Sequence, residues 1–148
     1  MTDAKVHDDA FQASFFKFEL DGVEIAWFTG ISGLSMEFDV LSFKETNGKT
    51  AVERKRPGRA KYSEVTLKRG YTTNTVVRDW FAEVTDAGKP TPYKTASIVL
   101  FNRWQEEGAR FNLEACWPSK LSVSDLSAGS DEVMVETLTI QHELLDWT

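Results

Sequence analysis

The chain has 148 residues, of which 41% are hydrophobic and 27% charged, a balance that fits one compact domain with a sizeable core and excludes disordered and collagen-like classes. A net charge of −6 argues against a dedicated nucleic-acid binder, while a single cysteine, Cys116, excludes a disulfide-stapled scaffold and suits a reducing cytoplasm. The longest purely apolar run, Ile98 to Phe101, is far below the roughly 18 residues of a membrane span, and the acidic N-terminus lacks a signal-peptide pattern, so neither a membrane-spanning segment nor a Sec-type address is expected.

From Ala13 to Phe28 the chain alternates apolar and polar residues around Asp21-Gly22, where a two-residue turn needs positive φ, so a hairpin is predicted with Phe16, Phe18 and Leu20 on one face. Residues 1–12 before it are expected to be a flexible or interface segment. After Gly30-Ile31-Ser32-Gly33-Leu34, a strand over Ser35 to Phe43 carries Met36, Phe38 and Val40 on one side and Glu37 and Asp39 on the other. Its predicted partner is Tyr62 to Arg69. The residues between, 44–61, read as a long polar loop with turn signals at Asn47-Gly48 and Pro57-Gly58, and long ordered loops in compact domains are more often functional than accidental.

One helix is predicted, from Thr75 to Ala87, capped by Asn74 and stopped by Gly88 and Pro90, with Val76, Val77, Trp80, Phe81 and Val84 as its apolar stripe. Thr95 to Trp104 follows as a strand apolar on both faces, then Arg110 to Trp117 with Phe111, Leu113, Ala115 and Trp117 inward. Pro118 breaks that ladder. A short strand at Lys120 to Ser124, a loop over residues 127–130 and a last strand from Glu132 to Glu143 complete a single domain, 1–148. About eight strands with mostly hairpin-length connections and one helix predict an antiparallel β-barrel or sandwich flanked by one α-helix. Trp80, Trp104 and Trp117 are expected in its core.

Charge is unevenly spread. Lys44 to Arg69 holds nine basic and three acidic residues, a local +6 that leaves −12 on the remainder, so the molecule is complementary to a copy of itself if the two regions occupy different faces. The plain alternative is a solvated loop. Catalytic constellations are nearly absent. His7 and His142 lie at opposite ends of the sequence without zinc-ligand spacing, Asp8-Asp9 and Glu106-Glu107 are neighbours only in sequence, and Gly30-x-x-Gly33 opens no helix that could hold a phosphate. Cys116, on a predicted strand, reads as packing rather than nucleophile. No metal, cofactor or catalytic residue is expected, and the protein is not expected to be an enzyme.

Several stretches together are similar to the tail-tube proteins of contractile phage tails and related contractile injection particles. They are Phe16-x-Phe18 with Asp21-Gly22, Gly33-Leu34, Glu45-Thr46-Asn47-Gly48, Arg56-Pro57-Gly58 followed by Tyr62 and Val65-Thr66-Leu67-Lys68-Arg69-Gly70, the Trp80 helix, Glu114 to Lys120, Leu126 to Val133, Glu136, and Ile140 to Glu143. The cysteine within the proline corner is a minor departure. The resemblance implies a β-barrel with one helix, six-membered rings stacked into a hollow tube inside a sheath, and a channel that passes phage DNA or protein cargo, with no enzymatic activity or cofactor. Implied partners are further copies of the chain, sheath protein, and baseplate or tube-initiator proteins; implied assembly is in the bacterial cytoplasm, for a phage tail or an injection particle.

The extended 44–61 segment, centred on Lys49, Arg54, Lys55 and Arg56, is expected to reach an acidic face of the adjacent ring, with Asp3, Asp8, Asp9, Asp125, Asp131 and Glu132 as acceptors. Open strand edges would pair between subunits into a continuous inner barrel. Candidates for the lumen are Glu37, Asp39, Glu64, Thr66 and Lys68, whose alternative is ordinary outer surface; a mildly acidic wall would let DNA or acidic cargo slide. The alternative functions are a tube initiator or minor tube variant of the same fold and a small-ligand-binding β-barrel module.

Overall fold

The computed structural model describes residues 11–90, 92–125, 128–129 and 131–147. Ten strands and one helix follow in chain order: β1 (Phe15–Leu20), β2 (Val23–Phe28), β3 (Gly30–Ser32), β4 (Met36–Thr46), β5 (Ala51–Tyr62), β6 (Val65–Gly70), α1 (Val76–Thr85), β7 (Lys94–Phe101), β8 (Glu107–Val123), β9 (Val135–Gln141) and β10 (Leu144–Trp147). Eight of the strands share one antiparallel hydrogen-bonded path, β2-β1-β7-β8-β9-β6-β3 with β10 also on β8, while β4 and β5 pair only with each other.

That path folds on itself because β8 works in two layers. Its first half pairs with β7 and β10, its second half with β9. The corner lies at Ala115, whose φ of 53° is left-handed, and two residues of β8 oppose one of β7 there. Such a bulge re-aims the side chains beyond it. Leu113 points inward, but Cys116 and Pro118 take over the inward positions after the bulge, so Ala115 and Trp117 are only half-buried, contrary to a strict alternation through Trp117. Pro118 does not end the strand either. It sits beside a second irregularity in the β8/β9 ladder, a setting where a missing N–H is tolerated, so the expected short strand at 120–124 is the continuation of β8.

The outermost strands, β2 and β3, are consecutive in the chain but share no ladder; Thr29 between them donates its N–H to the Lys68 carbonyl at 2.8 Å. The architecture is therefore a two-sheet sandwich, not a closed barrel. β2, β1, β7 and the first half of β8 with β10 form one sheet; β3, β6, β9 and the second half of β8 form the other. Between them Phe18, Leu67, Ile98, Leu113, Leu138 and Ile140 are buried together, joined by Val77 and Trp80 of α1. Trp80 stacks on Phe18 at 6.4 Å, and Phe28 meets Phe18 edge-on at 5.9 Å. This dense filling occupies the space a small-ligand barrel would keep open.

The helix is shorter than its sequence pattern predicts. The N-cap is Thr75 rather than Asn74, without a side-chain capping bond; Asn74, one residue earlier, accepts the Val76 N–H at 3.0 Å, and the chain leaves helical geometry at Asp86, whose side chain accepts the Gly88 N–H at 3.0 Å and starts a turn. The last strand begins at Val135 rather than Glu132, and β10 extends the structure where none was foreseen. Of the three tryptophans expected inside, only Trp80 is; Trp104 is 65% exposed.

Candidate functional site

The strand over Met36 to Thr46 does not pair with residues 62–69. Its partner is β5, in register from Met36↔Tyr62 to Thr46↔Ala51, so the segment foreseen as a polar loop is the returning strand of a long hairpin, here called the arm. Asn47-Gly48 forms the turn, with Gly48 at φ 84° and Lys49 at the tip. Two residues of β5, Gly58 and Arg59, oppose one of β4, Asp39, a bulge at which a Cβ on Gly58 would lie 3.0 Å from the Asp39 carbonyl oxygen. β6, expected to be the partner, lies between β3 and β9 instead.

No residue of β4 or β5 is buried. Period-two alternation gives the arm two different faces. Met36, Phe38 and Val40 stand on one, across from Tyr62, Ala60 and Pro57, and Phe38 and Val40 are 57% and 64% exposed. The other face mixes exposed Leu41, Phe43 and Val52 with charged cross-links: Lys61 to Asp39 at 2.7 Å, Arg54 to Glu45 at 3.2 Å, and the Arg56 guanidinium 5.1 Å above the Phe43 ring. The Asp39 carboxylate, through its hydrogen bond, holds the Lys61 ammonium above its ordinary pKa. Two of the four nominated cations, Arg54 and Arg56, are thus engaged within the arm, whereas Lys49 and Lys55 have no ion pair among the described residues.

The nominated acids are less gathered. Asp3, Asp8 and Asp9 lie outside the described residues, as does His7; Asp125 follows β8, and Asp131 and Glu132 are exposed ahead of β9. The five lumen candidates divide between two surfaces. Glu37 and Asp39 belong to the charged face of the arm. Thr66 and Lys68 point outward from β6, beside Gly30, Ile31 and Ser32 around a shallow cavity of about 180 Å³, and Glu64, just ahead of β6, accepts a hydrogen bond from Gln141 at 2.9 Å. On neighbouring strands of that sheet, register puts Thr137, Lys120, Ser122 and the buried Thr139 on the same side, so the exposed part of this face carries hydroxyls with few charges.

The first sheet presents a different exterior. Phe15, Trp27 and Phe101 cluster at one end, with ring centroids 6.3 Å and 5.5 Å apart, beside a cavity of about 250 Å³ lined by Phe15, Trp27 and Gln105. Next to it runs an ion-pair chain, Lys17–Glu19 at 3.2 Å, Arg110–Glu19 at 2.8 Å and Arg110–Glu107 at 3.0 Å. The Arg110 guanidinium beside Glu19 holds that carboxyl below its usual range. Cys116 is fully buried and its burial pushes the thiol up to about 12, so it is protonated at neutral pH and offers no nucleophile. Among the described residues there is no group of three or more His, Cys, Asp or Glu that could hold a metal ion, and no helix long and apolar enough to cross a membrane.

The family model for the T4-like virus tail tube protein gp19 matches residues 12–146. Solved structures of the same fold include a chain of the PVC sheath-tube complex of an extracellular contractile injection system in its extended state (TM-score 0.80, 20% identity, covering 100% of this chain and 99% of that one). A chain of the anti-feeding prophage (AFP) baseplate matches with a TM-score of 0.79 and 22% identity, over 97% of each chain. More distant is Hcp1 from Flavobacterium johnsoniae, with a TM-score of 0.55 and 12% identity, covering 90% of this chain and 94% of that one. No match to the chain is found among curated proteins.

Proposed function

Because the chain belongs to the T4-like virus tail tube protein gp19 family, and so is a structural tube subunit rather than an enzyme, we propose that six copies close into a ring and that rings stack into the hollow tube of a contractile particle. The observation that carries this reading is the arm: a hairpin with no buried residue that nevertheless displays Met36, Phe38 and Val40 to solvent. A two-stranded ribbon alone is marginal in water, and an apolar stripe of this kind is satisfied when a neighbouring copy covers it. Lys49 at its tip and Lys55 midway along β5, opposite Ser42, add positive charge to a contact whose other side is the acidic remainder of the next copy, Asp125, Asp131 and Glu132 among it. Each exposed pair contributes only about 0–1 kcal/mol, but repetition around a ring fixes register.

Edges support the ring. In the sheet β3-β6-β9-β8, the outer side of β3 and the outer side of residues 117–123 of β8 have no ladder partner among the described residues. Two different open edges on opposite sides of one sheet suit a heterologous contact that repeats and closes, making a continuous inner barrel. On that arrangement Glu64, Thr66 and Lys68 line the channel with the hydroxyls of Thr137 and Ser122, while Glu37 and Asp39 serve the arm. Cargo, whether DNA or protein, then slides along a wall without aromatic anchors. Sheath and baseplate proteins are the further partners, and assembly takes place in the bacterial cytoplasm before the particle acts.

Negative-stain microscopy of the purified chain tests the reading. Stacked rings are expected, and the K49E/K55E double substitution should leave folded subunits with tubes shortened or lost. Tubes of unchanged length in that variant would remove the electrostatic contact, and a strictly monomeric wild type at high concentration would remove the assembly.

A further inference from the structure

Among the described residues the arm shares no ladder with the sandwich, and the hydrogen bonds Ser35–Ser63 and His142–Ser63 lie at its root, so few residues set the angle at which it leaves the body. β4 runs 11 residues, about 35 Å at roughly 3.3 Å per residue. A rotation of about 10° at the root therefore moves the tip by about 6 Å, more than the spacing of roughly 4.8 Å between adjacent strands. Contacts at the tip depend on what holds the root.

Six side chains from outside or at the edge of the arm converge there. The His142 Nε2–H, in the turn between β9 and β10, donates to the Ser63 carbonyl at 2.8 Å, and its ring lies 5.8 Å from that of Tyr62, the last residue of β5. Because a carbonyl only accepts, this bond fixes the proton on Nε2. Gln141 Nε2 donates to Glu64 Oε2 at 2.9 Å and to Ser119 Oγ of β8 at 3.2 Å, tying the outgoing strand to two strands of the body. The hydroxyls of Ser35 and Ser63 hydrogen-bond each other across the root. Gly33, at φ 90°, lets the backbones meet, since a Cβ there would lie 1.9 Å from the Glu64 carbonyl oxygen.

The geometry points to His142 and Gln141 as positioning residues that lock the arm at one angle to the sandwich, a latch whose use in assembly rests on the reading of the arm as the inter-subunit element. His142 supplies both a donor and a ring. These can be separated: His142→Gln keeps an N–H able to reach Ser63, whereas His142→Phe keeps the ring over Tyr62 and loses the donor.

Pulsed electron spin resonance on the full chain, labelled at Thr50→Cys in the arm turn and Ala82→Cys on α1, measures the spread of arm positions directly. Fully buried Cys116 takes no label. Spin-diluted with unlabelled chain, the otherwise wild-type protein should give one narrow distance peak, H142F a peak at least twofold wider at an unchanged melting temperature, and H142Q the narrow peak again. Gln141→Ala, at a half-buried position, should widen the peak to a lesser degree and serves if H142F does not fold. Wild-type width in both H142F and Q141A, or in Q141A alone when H142F is unfolded, overturns the latch. Widening of the peak in a chain that forms no tubes would sustain the latch and sink the tube reading, so the two can fail separately.

Discussion

The sandwich and the arm obey opposite rules. In the sandwich, alternating residues such as Phe18, Leu67, Ile98 and Leu138 meet across two sheets and are removed from water by the chain itself. In the arm, the same alternation lifts Met36, Phe38 and Val40 out of a hairpin that has no opposing layer among the described residues. Burial thus measures what the subunit needs for itself, and on the proposed assembly its absence along the hairpin marks the surface offered to another copy.

If this contrast is correct, the sandwich should be intolerant where it is most constrained. Arg69 and Glu136, both nearly inaccessible, pair at 3.1 Å beneath the Phe28 ring, while Arg69 Nη2 and Glu136 Oε1 have no hydrogen-bond partner among the described residues. Arg69→Met should cost about 3–5 kcal/mol by stranding the carboxylate, and adding Glu136→Leu should restore most of it, read by denaturant unfolding of all three variants. A double variant no more stable than the single one would mean that the pair is needed for more than its own neutralisation.

A core and an arm substitution sharpen the same comparison. Ile98→Ala opens a cavity between the sheets and should cost about 2–5 kcal/mol. Phe38→Ser, at a half-exposed arm position, should change subunit stability by no more than about 0.5 kcal/mol yet abolish or shorten tubes in microscopy. Equal stability losses in the two would erase the distinction.

Much of the sandwich was legible in the sequence because it follows from local rules. Asp21-Gly22 takes the positive φ values a tight hairpin requires, and Val77 and Trp80 face inward at helical spacing. The arm was half legible. Alternation over Met36 to Val40 identified a strand and its faces, but alternation does not say which other strand pairs with it, and the charge of residues 44–61 resembles that of a solvated loop as well as of a β-ribbon. Ala115 escaped because one left-handed residue reverses every inward assignment after it. The root cluster had no sequence signal at all: His142 and Ser63 are separated by 79 positions and meet only through the fold.

The most direct test replaces residues 40–57 by a two-residue Asn-Gly turn, leaving Met36–Asp39 and Gly58–Tyr62 to close a short hairpin. Sedimentation velocity should then report a folded monomer at concentrations where the intact chain forms rings and tubes, with circular dichroism and melting otherwise close to those of the intact chain. Tubes assembled by the shortened chain, or collapse of its sandwich, would contradict the claim that the arm exists for a neighbouring copy rather than for its own subunit.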